Sequence, residues 1–268
     1  MAKKKPLIAT PISHLFENCE HAIEIIAASD CLEVRERSWE SVWPNQFLFH
    51  IDKDLTLEWC DETRAYLEKI IRRKSELELV TFQATRCCEG ERIIDGQFQI
   101  SGKMYSRNQL LDNAGENLQW LRRFLDKGIK IGLENNNYFP TPAYDIVTDS
   151  SFISEIVNEL GIYLLLDIAH AMVTCHNQGL RYNDYVNALP LASLIQLHIC
   201  RPDVPSTGVA RDSHEEPDHL MMREVVALVK KYPQIRYLTI EYYKDKDVLI
   251  NSLRKLRKAL VGRRLGGR

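Results

Sequence analysis

Acids and imidazoles recur where apolar runs stop. Gly161-Ile-Tyr-Leu-Leu-Leu-Asp167 ends in a carboxylate, and His170 follows three residues later. Lys130-Ile-Gly-Leu-Glu134, Leu194-Ile-Gln-Leu-His198 and Tyr237-Leu-Thr-Ile-Glu241 end the same way, and Gln46-Phe-Leu-Phe-His50 ends in histidine. Asp212-Ser-His214 sets two donors on one side of an extended segment, because alternate side chains point the same way. Neutral imidazole and carboxylate suit zinc, iron, manganese or cobalt. Without a cation, so many converging carboxylates would repel one another and be driven toward protonation. Two or three cations sharing a bridging carboxylate remove that cost, and together they could activate water or bind dioxygen. The candidate ligands are therefore His50, Glu134, Asp167, His170, His198, Asp212, His214 and Glu241. A single strand-end His or Glu is more often a cap or a surface group. Acid or imidazole at the ends of five strands is hard to explain by packing, since stability alone needs no ionisable group there. His14, His21, His176 and His219 lack that placement and are left aside.

A continuous apolar run reads as a strand buried on both faces, as in parallel sheets. Strands are expected at Leu7–Thr10, Cys31–Val34, Phe47–Ile51 and Leu77–Phe82, and then at the four runs ending in Glu134, Asp167, His198 and Glu241. Helical spacing is expected over Leu15–Ala28, Glu62–Arg73, Arg107–Lys127 with Ser106 as cap, Ser151–Leu160, Tyr182–Ala188, His219–Tyr232 and Asp247–Leu260. Eight strands alternating with helices predict an α/β fold, a single (β/α)8 barrel over residues 1–268, with sites at the C-terminal ends of its strands. No glycine-rich dinucleotide fingerprint follows any strand, which disfavours an open doubly wound sheet. Asp95-Gly96 signals a hairpin, and Cys200 to Pro217 reads as the longest irregular piece. The loops after Gln83, Glu134 and His198 should sit over the mouth. Residues 1–5 and 262–268 read as frayed ends.

The chain is near the usual length of one such barrel, and its hydrophobic content of 45% suffices for a large core. A formal net charge of -2 gives no global pull toward nucleic acid or anionic membrane. No apolar run approaches a membrane span, and Met-Ala-Lys-Lys-Lys is not a signal peptide, so a cytoplasmic location is expected. Seven cysteines without regular CxxC spacing fit free thiols in a reducing compartment. Cys175 and Cys200, close in sequence to proposed ligands, carry a minority functional reading.

The order His50, Glu134, Asp167-x-x-His170, His198, Asp212-x-His214, Glu241 resembles the xylose-isomerase-like barrels that include endonuclease IV. Phe49-His50, Leu133-Glu-Asn135, Gly161 to Asp167, Asn177-Gln-Gly179, Leu197-His198, Asp212-Ser-His214 and Thr239-Ile-Glu241 are closer to another branch. That branch is the multinuclear non-heme iron-dependent oxidases typified by the methanobactin-biosynthesis oxidase, and the resemblance covers roughly residues 46 to 260. It implies that Glu134, Asp167, His198 and Glu241 hold one metal and carry the catalysis. Glu134 would bridge to a neighbour at His50, and His170, Asp212 and His214 would hold another ion. Two positions depart from that branch. Gln83 stands where a strand-end histidine is usual, which predicts a weak or vacant site beside His50, and His170 stands where the oxidases often have Asn.

The resemblance implies an oxidoreductase that uses iron and dioxygen to modify a ribosomally made peptide, most readily at cysteine, with a separate peptide-recognition protein as a possible partner. Arg86, Arg201, Arg211 and Lys244, in the mouth loops, could hold a peptide carboxylate or acidic leader, although solvated surface explains them equally well. The alternative is a zinc- or manganese-dependent hydrolase or isomerase acting on a sugar, sugar phosphate or abasic nucleic acid. The absence of an aromatic and basic reading stretch weighs against nucleic acid. A barrel retained only as a binding partner is a third possibility, supported by Gln83 alone.

Overall fold

A computed structural model describes residues 5–262; the expected frayed ends lie outside the described residues except for Lys5 and Gly262. Eight strands close into one parallel barrel: β1 (Leu7–Pro11), β2 (Cys31–Arg35), β3 (Leu48–Asp54), β4 (Leu79–Gln83), β7 (Lys130–Glu134), β8 (Tyr163–Asp167), β9 (Leu194–Ile199) and β12 (Tyr237–Ile240). Around the barrel the order is β1-β12-β9-β8-β7-β4-β3-β2. Two ribbons stand apart from it: β5 (Arg92–Ile94) with β6 (Gln97–Gln99), and β10 (Arg201–Asp203) with β11 (Arg211–Glu215). The first is the hairpin expected at Asp95-Gly96, where both residues take positive φ as a tight turn requires.

Among the described residues, eight α-helices surround the barrel: α1 (Cys19–Ala28), α2 (Asp61–Arg72), α3 (Arg107–Leu121), α4 (Ser150–Glu159), α5 (Ile168–Gln178), α6 (Tyr182–Ala188), α7 (His219–Lys231) and α8 (Lys246–Val261). Burying their apolar stripes on the outer faces of the strands makes the main core, with Leu67, Ile70, Leu118, Phe152, Ile156, Val225 and Leu253 turned inward. A smaller cluster of Ala9, Cys31, Leu48, Leu79, Ile195 and Tyr237 forms a second apolar group on six of the strands.

Several boundaries differ from the expected ones for local reasons. The first helix begins at Cys19 rather than near Leu15, because Asn18 accepts hydrogen bonds from the amides of Glu20 and His21 as an N-cap. Ser106 caps α3 in a box with Gln109, as its sequence position suggested, but α3 stops at Leu121 rather than Lys127. Helix α5 was not among the helices expected from spacing. Cys200 to Pro217 is not irregular throughout, since the β10–β11 ribbon lies within it.

Candidate metal centre

Side chains two apart on a strand share a face, so a strand ending in an inward donor carries a second inward residue two positions before it. On β7 the pair is Gly132 and Glu134, on β9 Gln196 and His198, and at the end of β12 Thr239 and Glu241. Gly132 has no side chain where an added Cβ would lie 3.0 Å from Thr81 Cγ2 and 3.3 Å from the Tyr163 carbonyl oxygen. Asp167 ends β8 and is also the N-cap of α5, its Oδ1 accepting from the His170 amide at 2.7 Å. That single residue closes a strand, opens a helix and leaves Oδ2 free to face the barrel axis. Asn135 fixes the position from the side: its Oδ1 accepts from the Asp167 amide at 2.8 Å and its amide group donates to the Asp167 carbonyl at 3.0 Å.

The acids and imidazoles meet at this rim. His198 Nδ1 lies 2.8 Å from Glu134 Oε1, 3.5 Å from Glu241 Oε1 and 3.8 Å from Asp167 Oδ2. Beside this group, His170 Nε2 lies 3.5 Å and His214 Nε2 3.1 Å from Asp212 Oδ2. His214 Nε2 is also 3.6 Å from Glu241 Oε2, which joins the two groups. His170 Nδ1 donates to the Asn135 carbonyl at 2.9 Å, which leaves Nε2 as the free donor atom. His50 Nε2 lies 3.4 Å from Glu134 Oε2 on the opposite side. All eight candidate ligands thus come to one end of the barrel.

Two atoms decide whether a cation fits. Asp167 Oδ2 is buried without any hydrogen-bond partner, and buried His198 Nδ1, although 2.8 Å from Glu134 Oε1, has no well-aligned one. An orphaned carboxylate oxygen and an orphaned imidazole nitrogen are each costly in a protein interior. Donors on a common ion with bonds of about 2.1 Å sit roughly 3 to 4 Å from one another. The separations of 2.8 to 3.8 Å around His198 Nδ1 have that spread. The donor set is nitrogen and oxygen, with Cys200 alongside, its thiol 3.5 Å from Asp212 Oδ1 and in reach of Asp167 and Glu241. The residues present fit metal ions.

The electrostatics agree. Burial, with Glu134 and Asp212 adding repulsion, pushes Asp167 up to about 6 against the pull of His170. Burial opposes charge on His198, but Glu33 and Glu134 outweigh it and raise the imidazole to about 9. Burial likewise opposes charge on His170, and Asp167 and Glu134 hold it well above its ordinary value. Glu134 stays well below the usual carboxylate range, because His50, His170 and His198 overcome the cost of its burial. Burial would raise Asp212 too, yet its hydrogen bond and charge interaction with His170 bring it to about 2. His50 differs: burial drives it down to about 3, so it is a neutral imidazole.

Sequence reasoning passed over two residues on β2. Glu33 is fully buried, and its Oε2 accepts from His198 Nε2 at 3.0 Å and from Thr239 Oγ1 at 3.3 Å. Arg35 sits 2.7 Å from Glu33 Oε1 and also pairs with Glu241. A carboxylate inside an expected apolar strand, with a guanidinium directly after it, was the available signal.

The four cationic mouth residues separate. Arg211 lines a cavity of about 390 Å³ above the centre, together with Gln83, Phe98, Asn137, Tyr144 and His170. Arg86 is buried in the loop after β4, donating to the Glu89 carbonyl and lying over the Phe98 ring. Lys244 is paired with Glu215. Arg201 lines a cleft of about 1120 Å³ between α7 and α8, which contains none of the candidate ligands.

Comparison with known proteins gives relatives at two levels. The D-psicose 3-epimerase solved in the presence of D-fructose superimposes with a TM-score of 0.59 at 14% identity, covering 97% of this chain and 100% of that one. The 3-keto-D-glucoside 4-epimerase of E. coli gives 0.58 at 14%, covering 95% and 100%. At that identity they share the fold alone, a (β/α)8 barrel. Among curated proteins, a UPF0276 protein of Caulobacter vibrioides is 31% identical over 85 residues, 32% of this chain and 30% of the relative. A UPF0276 protein of Caulobacter sp. strain K31 is 26% identical over 110 residues, 40% of this chain and 39% of that one. The matches thus span under two fifths of the curated relatives' length. The family model of the RiPP precursor modification enzymes MbnB/TglH/ChrH matches residues 104–258, more than half of the chain; seven of the eight candidate ligands, Glu134, Asp167, His170, His198, Asp212, His214 and Glu241, fall inside it, and His50 lies upstream. The chain belongs to that family.

Proposed function

We propose that this chain is an iron-dependent oxidase that uses dioxygen to modify a ribosomally made peptide at a cysteine residue. The observation that carries the proposal is the pair of orphaned buried donors, Asp167 Oδ2 and His198 Nδ1, at the rim of a barrel belonging to a family of RiPP precursor modification enzymes. Bound iron with open coordination positions would supply one-electron chemistry toward dioxygen and affinity for a soft thiolate. The residues would do the rest. Glu134, Asp167, His198 and Glu241 would hold one ion, with His170, Asp212 and His214 holding its neighbour. Arg211 and the Asn136 and Asn137 side chains would position backbone or carboxylate groups of a peptide in the cavity above. Phe98, Phe139 and Tyr144 would exclude water from its apolar side.

Free thiols at all seven cysteines of the described residues suit a reducing cytoplasm, and no helix among those residues is long and apolar enough to cross a membrane. A separate peptide-recognition protein could present the substrate. Anaerobic iron loading, addition of a cysteine-containing precursor peptide encoded beside this gene, and exposure to air should give a mass change confined to a cysteine fragment. An unchanged peptide, with a colourless protein carrying only zinc or manganese, would instead favour a metal-dependent sugar isomerase. That second reading is favoured by the sugar-epimerase fold neighbours and by His170. Conversion of a ketohexose such as D-psicose by the manganese-loaded protein tests it directly.

A further inference from the structure

The orphaned donors are not spread evenly around the mouth. His50 has the placement of a ligand: it is fully buried, its Nδ1 is held by Thr81 Oγ1 at 2.9 Å, and it lies within reach of Glu134 and His198. Yet its Nε2 has a partner. The Gln83 amide nitrogen stands 3.1 Å from His50 Nε2 and 3.2 Å from Glu134 Oε2. In the tautomer whose Nδ1–H donates to Thr81, Nε2 is an acceptor, and an amide NH2 has one proton for that lone pair and one for the carboxylate. The amide therefore joins an imidazole to a carboxylate, the task a cation would otherwise perform, without adding charge.

The distribution of charge around the barrel points the same way. Glu134, Asp167, His198 and Glu241 come from four neighbouring strand positions, β7, β8, β9 and β12. The opposite arc, β4, β3 and β2, carries Gln83, His50 and Arg35. Arg35 already supplies a fixed positive charge there, paired with Glu33 and Glu241. A further cation in that corner would displace the Gln83 hydrogen bonds and face the guanidinium.

We propose that Gln83 plugs the His50 corner, so that the chain assembles a two-metal rather than a three-metal centre, and that His50 and Gln83 act as positioning residues for Glu134. The proposal presupposes the metal centre proposed above, and metal counting separates the failure of one from the failure of the other. The protein and its Gln83→His variant are each loaded anaerobically with excess iron(II), and iron per chain is measured with anomalous diffraction from the loaded crystals. The expected result is about two ions in the unaltered protein and about three in the variant, the added peak lying beside His50. His50→Ala, made separately, should leave the count at about two. A peak beside His50 in the unaltered protein overturns the plug while leaving the metal centre standing. A variant that loads to only two ions also overturns it, because something other than Gln83 then closes the corner. No ion at any cluster defeats both proposals. Should Gln83→His fail to fold, the unaltered protein's peaks and the His50→Ala count still decide the matter.

Discussion

His198 has two nitrogens with two duties. Nε2–H donates to Glu33 Oε2 at 3.0 Å, which directs the Nδ1 lone pair toward Glu134, Asp167 and Glu241. A carboxylate behind a ligating imidazole fixes its tautomer and raises its basicity, and losing such a partner commonly costs tenfold to hundredfold in metal affinity. Glu33→Gln is therefore expected to weaken iron(II) binding by roughly ten- to a hundredfold, read by competition against a chelator of known affinity. Proton and metal ion compete for the same Nδ1 lone pair. Because the metal-free His198 is raised to about 9, it carries a proton at neutral pH that a cation must displace. Apparent affinity should accordingly climb with pH, by about tenfold per unit for one proton, and level off above about 9. A flat affinity between pH 7 and 9 would contradict that protonation state. The ligands themselves were readable in the sequence because each ends an apolar run. Glu33 was not, because it lies within such a run, between Leu32 and Val34, where its charge was overlooked as an exception to a strand pattern.

At the scale of elements, the barrel rim depends on how closely β4, β7 and β8 approach. Gly132 allows β7 to lie against Thr81 and the Tyr163 carbonyl, and Thr81 in turn holds His50 Nδ1. A methyl group there meets Thr81 Cγ2 at 3.0 Å, so Gly132→Ala is expected to destabilise the protein by about 1–3 kcal/mol, measured by denaturant unfolding of the metal-free form. An unchanged midpoint would mean that Thr81 can give way without cost. The barrel strands were legible because parallel strands buried on both faces read as unbroken apolar runs. Helix α5 was not, because it too is buried on most sides: Ile168, Ala169, Ala171, Val173, Thr174 and Cys175 leave little polar face to mark a period. The β10–β11 ribbon escaped notice for the opposite reason. It is short, largely half-buried or exposed, contains Pro202 and pairs across a register shift, so neither alternation nor apolarity announces it.

At the scale of the whole molecule, the two halves of the donor set have unlike foundations. Glu134, Asp167, His198 and Glu241 stand on adjoining staves of one closed wall, each braced by its neighbours on both sides. Asp212 and His214 stand on a ribbon outside that wall, tied near Ala210 to the Asn177 side chain of α5. His214 itself is held at a φ of 48°, a backbone state uncommon for a residue other than glycine. A ribbon can swing where a stave cannot, and an ion that relies on both will be released when the looser footing lifts. Rapid mixing of the loaded protein with excess chelator should therefore show two successive losses, the quicker one belonging to the ion nearest Asp212. Such an enzyme would be easily half-emptied and refilled with a different metal, giving mixed pairs whose order of loading is dictated by the architecture.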